Sequence, residues 1–245
     1  MPAHDPTDTG RRVAIARLGA LAGLGALSAC AGPSNTVPAP AGSEPLNIRA
    51  PRVGDRWRYA RLNLYNANRL GELRAEVVGV SPRIRVRVDQ GDGRSLEELY
   101  SEAWVVAVDA LYGAPLTFET PVPVIPQAAR TGVSIETGSF YRMPGWPTAL
   151  RWSQRLKVVG WERVQVPAGS FEALRVDRYI ALAHPDPFKF NPLRTDTAWF
   201  SPEVGRWVAR EWKGEWSDGG PNEQKGRSRE GWERYELLDY SLVAG

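Results

Sequence analysis

Two short runs constrain the fold more than anything else in the sequence. In the first, Leu73, Ala75 and Val77 alternate with Glu72, Arg74 and Glu76; in the second, Ile84, Val86 and Val88 alternate with Arg83, Arg85 and Arg87. Strict alternation gives a β-strand one dry face and one wet face, and gives a helix neither. Between the runs lies Gly79-Val80-Ser81-Pro82, which is turn chemistry. If paired residue numbers sum to an odd value, all six apolar side chains share one face. That register also sets Glu72, Arg74 and Glu76 against the arginine row, offsetting its self-repulsion. The arginines therefore read as the solvated face of a half-buried strand rather than as an anion site.

The rest of the chain follows the same grammar. Residues 56–65 alternate with a change of parity near Ala60, the mark of a bulge. Gln90-Gly91-Asp92-Gly93 is a turn; a calcium loop needs more carboxylates at regular spacing. Residues 95–107 are ambiguous. Leu96, Leu99, Tyr100, Ala103 and Ala107 fit a helix, and Ser95 with Glu98 fits a capping box, but 104–108 is strand-like in composition. A strand over about 100–109 is the favoured reading. Pro115, Pro121, Pro123, Pro126, Pro144 and Pro147 predict an edge, a crossover or a flap over a cavity, with a strand over 132–141 between them.

From Leu150 onward, strands are expected over 152–159, 161–166, 171–181, 195–200, 206–212 and 232–240. Their turns are Pro167-Ala168-Gly169-Ser170 and Ser201-Pro202-Glu203-Val204-Gly205, with a loop at Asp218-Gly219-Gly220-Pro221-Asn222. Val164 and Val166 are expected to share a face with Leu174, Val176 and Ile180. The fold class is mainly β: one strongly curved antiparallel sheet, half-barrel or barrel-like, with few short helices. The alternative is a two-sheet β-sandwich.

The N-terminus supplies an address. Arg11, Arg12 and Arg17 precede an Ala/Gly/Leu-rich run too short to span a bilayer, which ends in Leu27-Ser28-Ala29-Cys30. This ending resembles the lipobox of bacterial prolipoproteins, and Cys30 is the only cysteine in the chain. The resemblance implies cleavage before Cys30 and lipidation of its sulfur, with enough acyl chains for durable anchoring. Thr9-Gly10-Arg11-Arg12-Val13 also resembles a twin-arginine signal, although general secretion fits the same arginines. In the enteric members of the class it resembles, a residue other than aspartate after the cysteine implies the outer membrane, so by that resemblance Ala31 implies an outer-membrane anchor facing the periplasm, with the inner membrane left open by differing host rules. The expected organisation is a signal peptide over 1–29, a flexible Pro/Ala/Ser-rich tether over 30–51 and one β-rich domain over 52–245. A net charge of +3 is too close to balance for nucleic-acid binding.

Val166-Pro167-Ala168-Gly169-Ser170-Phe171 with Trp199-Phe200-Ser201-Pro202-Glu203-Val204-Gly205 resembles a pair of motifs in bacterial envelope proteins, a mostly uncharacterised group that includes TapB-like lipoproteins. Val53-Gly54-Asp55-Arg56-Trp57 and Tyr235-Glu236-Leu237-Leu238 are similar to it as well. The resemblance implies a curved antiparallel sheet shaped like the half-barrels of lipoprotein carriers. It supplies no catalytic residues.

Enzyme signatures are scarce. His4 leaves with the signal, so His184 remains alone, without a thiol to complete a zinc site. Asp186 or Asp196 are the candidates to orient His184 as a general base, but a surface histidine is the expected role. Glu211 and Glu215 share a parity with Lys213 and would flank a sugar, or simply form a salt-bridged outer face. No catalytic residue, metal or cofactor is expected. Ten tryptophans are the unusual feature; core packing is the leading reading for any single ring, and lining a concave apolar surface is the alternative. Trp152, Trp199 and Trp207, with Arg178 on the inward parity, are the candidate ligand-binding residues. A buried Arg178 requires a partner, either an anionic headgroup or a carboxylate such as Asp196; the favoured alternative is a strand end where its charge reaches water. The leading expectation is a non-enzymatic, membrane-anchored envelope lipoprotein that binds or carries a hydrophobic ligand in its curved sheet. The alternative is a protein–protein interaction module with a filled core, and glycan hydrolysis ranks third. A hollow apolar interior favours the first, a solid one the second.

Overall fold

In the computed structural model, residues 36–38, 45–112, 114–218 and 226–244 are described. They form strands β1 (Thr36–Pro38), β2 (Arg56–Asn63), β3 (Asn68–Gly79), β4 (Ile84–Asp89), β5 (Ser95–Glu102), β6 (Val105–Asp109) and β7 (Leu116–Pro123). The remaining strands are β8 (Ser134–Arg142), β9 (Leu150–Val166), β10 (Gly169–Leu182), β11 (Lys189–Ser201), β12 (Arg206–Asp218) and β13 (Gly226–Ser241). Each pairs antiparallel with its chain neighbour from β2 to β13; β13 then pairs with β2, so twelve strands close into a barrel. Closure leaves no long edge of unpaired backbone. The curved-sheet expectation holds, in its closed form; the sandwich does not, and no helix occurs among the described residues.

The register of β3 and β4 is the odd-sum one, with Ala75 opposite Val88 and Val77 opposite Val86. All four are buried, while Arg87 on the outer face lies across from Glu76, 3.6 Å away. The parity change in the first strand is also present: Tyr59 and Ala60 are both buried, and the β2–β3 register shifts just beyond, between Arg61 and Leu62.

Residues 95–109 differ from the expectation of one strand over 100–109. They form two strands reversing at Ala103-Trp104. No Gly, Pro or Asn announces this turn, because Trp104 itself takes the left-handed conformation (φ 62°), unusual for a bulky residue. Its indole is buried edge-on against Tyr100 and Phe200, and that packing holds the backbone there. The proline-rich stretch is neither an edge nor a flap. It is a seam in the closed wall, where β7 and β8 pair only at Thr117–Arg142 and Phe118–Tyr141. Ser139 Oγ extends the seam, donating to Thr120 O at 2.8 Å and accepting from Thr120 N–H at 3.1 Å.

β9 and β10 are long enough to bend over one end of the barrel. A bulge at Gly160 (φ +156°) shifts their register, and at the hairpin tip Ala168 N–H donates to Leu237 O at 2.9 Å. β13 is three strands from β10 in the sheet, so the tip crosses the mouth, where Phe171 meets Tyr240 edge-on. The register corrects one expectation: Val164 and Val166 pair with Phe171 and Gly169, whose parity on β10 is opposite to that of Leu174, Val176 and Ile180, and of these Leu174 lies on the Val164 side of the bulge while Val176 and Ile180 lie beyond it.

The segment before β2 also differs from the expected tether over 30–51. β1 adds to β9, with Thr36 opposite Val164, and Leu46 N–H donates to Ala129 O at 2.7 Å. Leu46 and Ile48 pack against the core. Buried Asp55 fixes both ends of the domain, accepting from Arg49, from Arg52 N–H and from Val243 N–H at 2.6–2.9 Å. The expected signal peptide and Cys30 lie outside the described residues.

Candidate functional site

The barrel interior is occupied by its own side chains, and its middle is ionic. Arg178 on β10 lies directly across from Asp196 on β11, and both are buried. Asp196 also accepts from Arg210 Nη2 at 2.6 Å and from the Tyr112 hydroxyl. Arg210 sits 3.7 Å from Asp109. Above this cluster, Arg206 donates to Glu98 at 2.9 Å, and Tyr100 donates to the same carboxylate at 2.8 Å. Trp57, Trp104 and Trp207 surround the Arg206 guanidinium, with ring centroids 5.1–5.9 Å away. Arg178, Arg206 and Arg210 thus face Glu98, Asp109 and Asp196, a neutral set as burial requires. Burial alone would raise the pKa of Asp196, but Arg178 and Arg210 outweigh it and hold the carboxylate well below its ordinary range. The residual void beside Arg178, Asp196 and Trp207 is about 10 Å³, at the lower limit for one water.

The candidate ligand residues are therefore distributed rather than gathered around a cavity. Arg178 has the carboxylate partner named from the sequence. Trp152 is fully buried among Tyr112, Phe118 and Tyr141, and its Nε1 donates to Gln154 Oε1 at 3.1 Å. Trp207 packs against Tyr59 at 4.0 Å and Tyr235 at 6.0 Å. Trp199 points the other way, out of the barrel, where Arg175 and Arg234 cover it and its Nε1 donates to Glu162 at 2.6 Å. His184 is half-buried and accepts the Asp186 N–H at Nδ1, 3.0 Å away; burial and then Lys189 lower its pKa. Asp186 accepts from Phe188 N–H and Asp196 is taken by arginines, so neither carboxylate orients the imidazole.

Outside, the largely apolar concavity lies on the wall from β8 to β12. Register makes it. One outward row reads Glu136, Arg155, Tyr179, Thr195, Lys213 across five adjacent strands. The next row reads Gly138, Ser153, Ala181, Leu193, Glu215. Three consecutive small residues leave a trough, walled by Tyr179 and Arg155 on one side and closed by Leu193 and Glu215 at the far end, of about 350 Å³. Tyr179 and Leu193 are exposed. The Arg155 guanidinium lies over the Tyr179 ring, 5.3 Å from its centroid. Among the described residues, Glu136, Arg155 and Lys213 make no ion pair, while Glu215 is bound to Arg227 at 2.6 Å.

Lys213 and Glu215 were singled out from the sequence, but Glu211 is not with them; it accepts from Trp232 and pairs with Arg234. Glu136, Arg155, Tyr179 and Leu193 went unnoticed. Their signal is spatial: small residues on the outward parity of three neighbouring strands become one trough only when the register is known. The groove carboxylates, Glu136 and Glu215, sit four strands apart, roughly 15–20 Å at the usual strand spacing. Glycoside hydrolysis needs carboxyl groups within about 10 Å, so this arrangement can hold a ligand but does not form that catalytic pair.

No family model matches the sequence, and no curated protein does. Two solved structures are similar to this chain. One is a "putative lipoprotein" from Parabacteroides distasonis, with a TM-score of 0.47 and 12% identity, over 79% of this chain and 98% of that one. The other is a "putative exported protein with YmcC-like fold" from Bacteroides fragilis, with a TM-score of 0.39 and 10% identity over the same shares.

Proposed function

We propose that this chain is a lipid-anchored, non-catalytic protein of the bacterial envelope that works as a docking module, holding another envelope component against the outer wall of its barrel. The observation that carries this reading is the filled interior: a carrier of apolar ligands needs a cavity of several hundred Å³, whereas among the described residues the barrel's middle is packed with its own side chains and the void beside Arg178, Asp196 and Trp207 is about 10 Å³. A ligand inside would have to displace Trp152, Trp207 and a neutral set of six charges. The outer wall, in contrast, leaves large apolar side chains in water in one quadrant. Phe140 is 51% exposed, Trp146 40%, Tyr179 44% and Phe188 76%, on β8, the β8–β9 turn, β10 and the β10–β11 turn. They are carried by neighbouring strands and turns of this wall, and exposed apolar side chains grouped in this way favour a contact surface. The lipobox-like Leu27-Ser28-Ala29-Cys30 supports the envelope address.

A photo-crosslinking residue at Phe140 or Phe188, in cells, tests the reading. It should yield a discrete adduct that a crosslinker at Arg85, on the opposite wall, does not, and the purified pair should reform the adduct. Equal, diffuse labelling from both walls would remove the docking reading.

A further inference from the structure

We propose that the trough on β8–β12 is a saccharide subsite, with one or two sugar rings stacked on the free face of Tyr179. The inference rests on the docking reading and names the chemistry of what is held. About 350 Å³ suits a small ligand rather than a protein interface, which covers some 800 Å² per partner. Arg155 occupies one face of the Tyr179 ring, leaving the face toward β11 as a preorganised platform above Ala181 and Thr195. The negative face of an aromatic ring attracts polarised C–H bonds, which a pyranose presents on one side.

The rim decides between a sugar and an apolar guest. Glu136 offers acceptors, Arg155 and Lys213 offer donors, and Ser153 and Thr195 offer both. A hydrocarbon lying over them would strip their water and return nothing, at a cost for each polar group left unpaired. A ring of hydroxyl groups replaces that water with hydrogen bonds of both kinds. Charges of both signs, with Glu215 already neutralised by Arg227, fit a neutral sugar better than a polyanion.

The test uses the full-length protein in a detergent without a sugar headgroup, titrated with maltohexaose, cellohexaose and chitohexaose, read by saturation-transfer NMR and calorimetry. At least one should bind with submillimolar Kd. Tyr179→Ala should weaken it at least tenfold while the melting temperature stays unchanged, and Tyr179→Phe should retain it. No binding by any of the three, or equal binding by Tyr179→Ala, overturns the subsite. If the Phe140 and Phe188 crosslinks then still trap a protein, the docking reading stands and only the sugar assignment falls; if they trap nothing, both fall.

Discussion

Replacing Asp196 by alanine is the sharpest perturbation of the barrel. The carboxylate serves two buried arginines and a tyrosine hydroxyl, so its loss leaves Arg178 and Arg210 facing only Asp109, 3.7 Å from Arg210. Removing one partner of a buried ion pair costs about 3–5 kcal/mol, because the remaining charge stays desolvated. In a domain of this size each kcal/mol lowers the melting temperature by about 2–4 °C, so Asp196→Ala should melt about 6–20 °C below the parent. Circular dichroism during heating reads this directly. The companion Asp196→Ala/Arg178→Met removes one charge of each sign and keeps the interior neutral. It should recover at least half of the loss, since the cost lies in the stranded charge rather than in the missing attraction. A single variant melting within about 2 °C of the parent, or a double variant no better than the single, would refute the reasoning.

Further outcomes follow from the same interior, from the outer wall and from the N-terminal cysteine. The folded pKa values of Asp196 and Glu230 are depressed, in both cases by arginine against the opposing effect of burial. The unfolded chain therefore takes up protons first as pH falls, and the stabilisation, present above about pH 5, should fade below about pH 4; a melting temperature that rises between pH 5 and pH 3 would contradict this. Trp152→Ala, in the aromatic core, should cost about 3–5 kcal/mol in urea unfolding, whereas Tyr179→Ala should stay within about 0.5 kcal/mol. Cys30→Ser should move the protein from the membrane to the soluble fraction of lysed cells, and unchanged fractionation would refute the anchor.

Alternation made the fold legible wherever one strand face is wet. The β3–β4 register follows from six apolar residues and a charge ladder, and the strands after Leu150 appear where their turns announce them. Reading failed where tertiary packing replaced turn chemistry: Trp104 turns the chain without a turn residue because its indole is anchored in the core. Closure was likewise beyond local pattern, since it depends on β8 meeting β9 and β13 meeting β2 across the whole chain. The parity of Arg178 pointed inward and offered Asp196 as one partner, but the favoured reading let its charge reach water at a strand end; the register instead sets it opposite Asp196 inside the barrel. The tryptophans were not, because an indole suits a filled core and a ligand cavity equally well; the register places Trp152 and Trp207 inside and Trp199 outside.

The central claim is that the barrel is solid and acts through its outer wall. Native mass spectrometry of the protein purified from its own host, released from detergent in the gas phase, tests this most directly. The expected result is the mass of the acylated chain with no further lipid bound. A stoichiometric lipid that survives activation in the parent, and is lost on Trp152→Ala or Trp207→Ala, would show that the interior opens to hold a ligand and would contradict it.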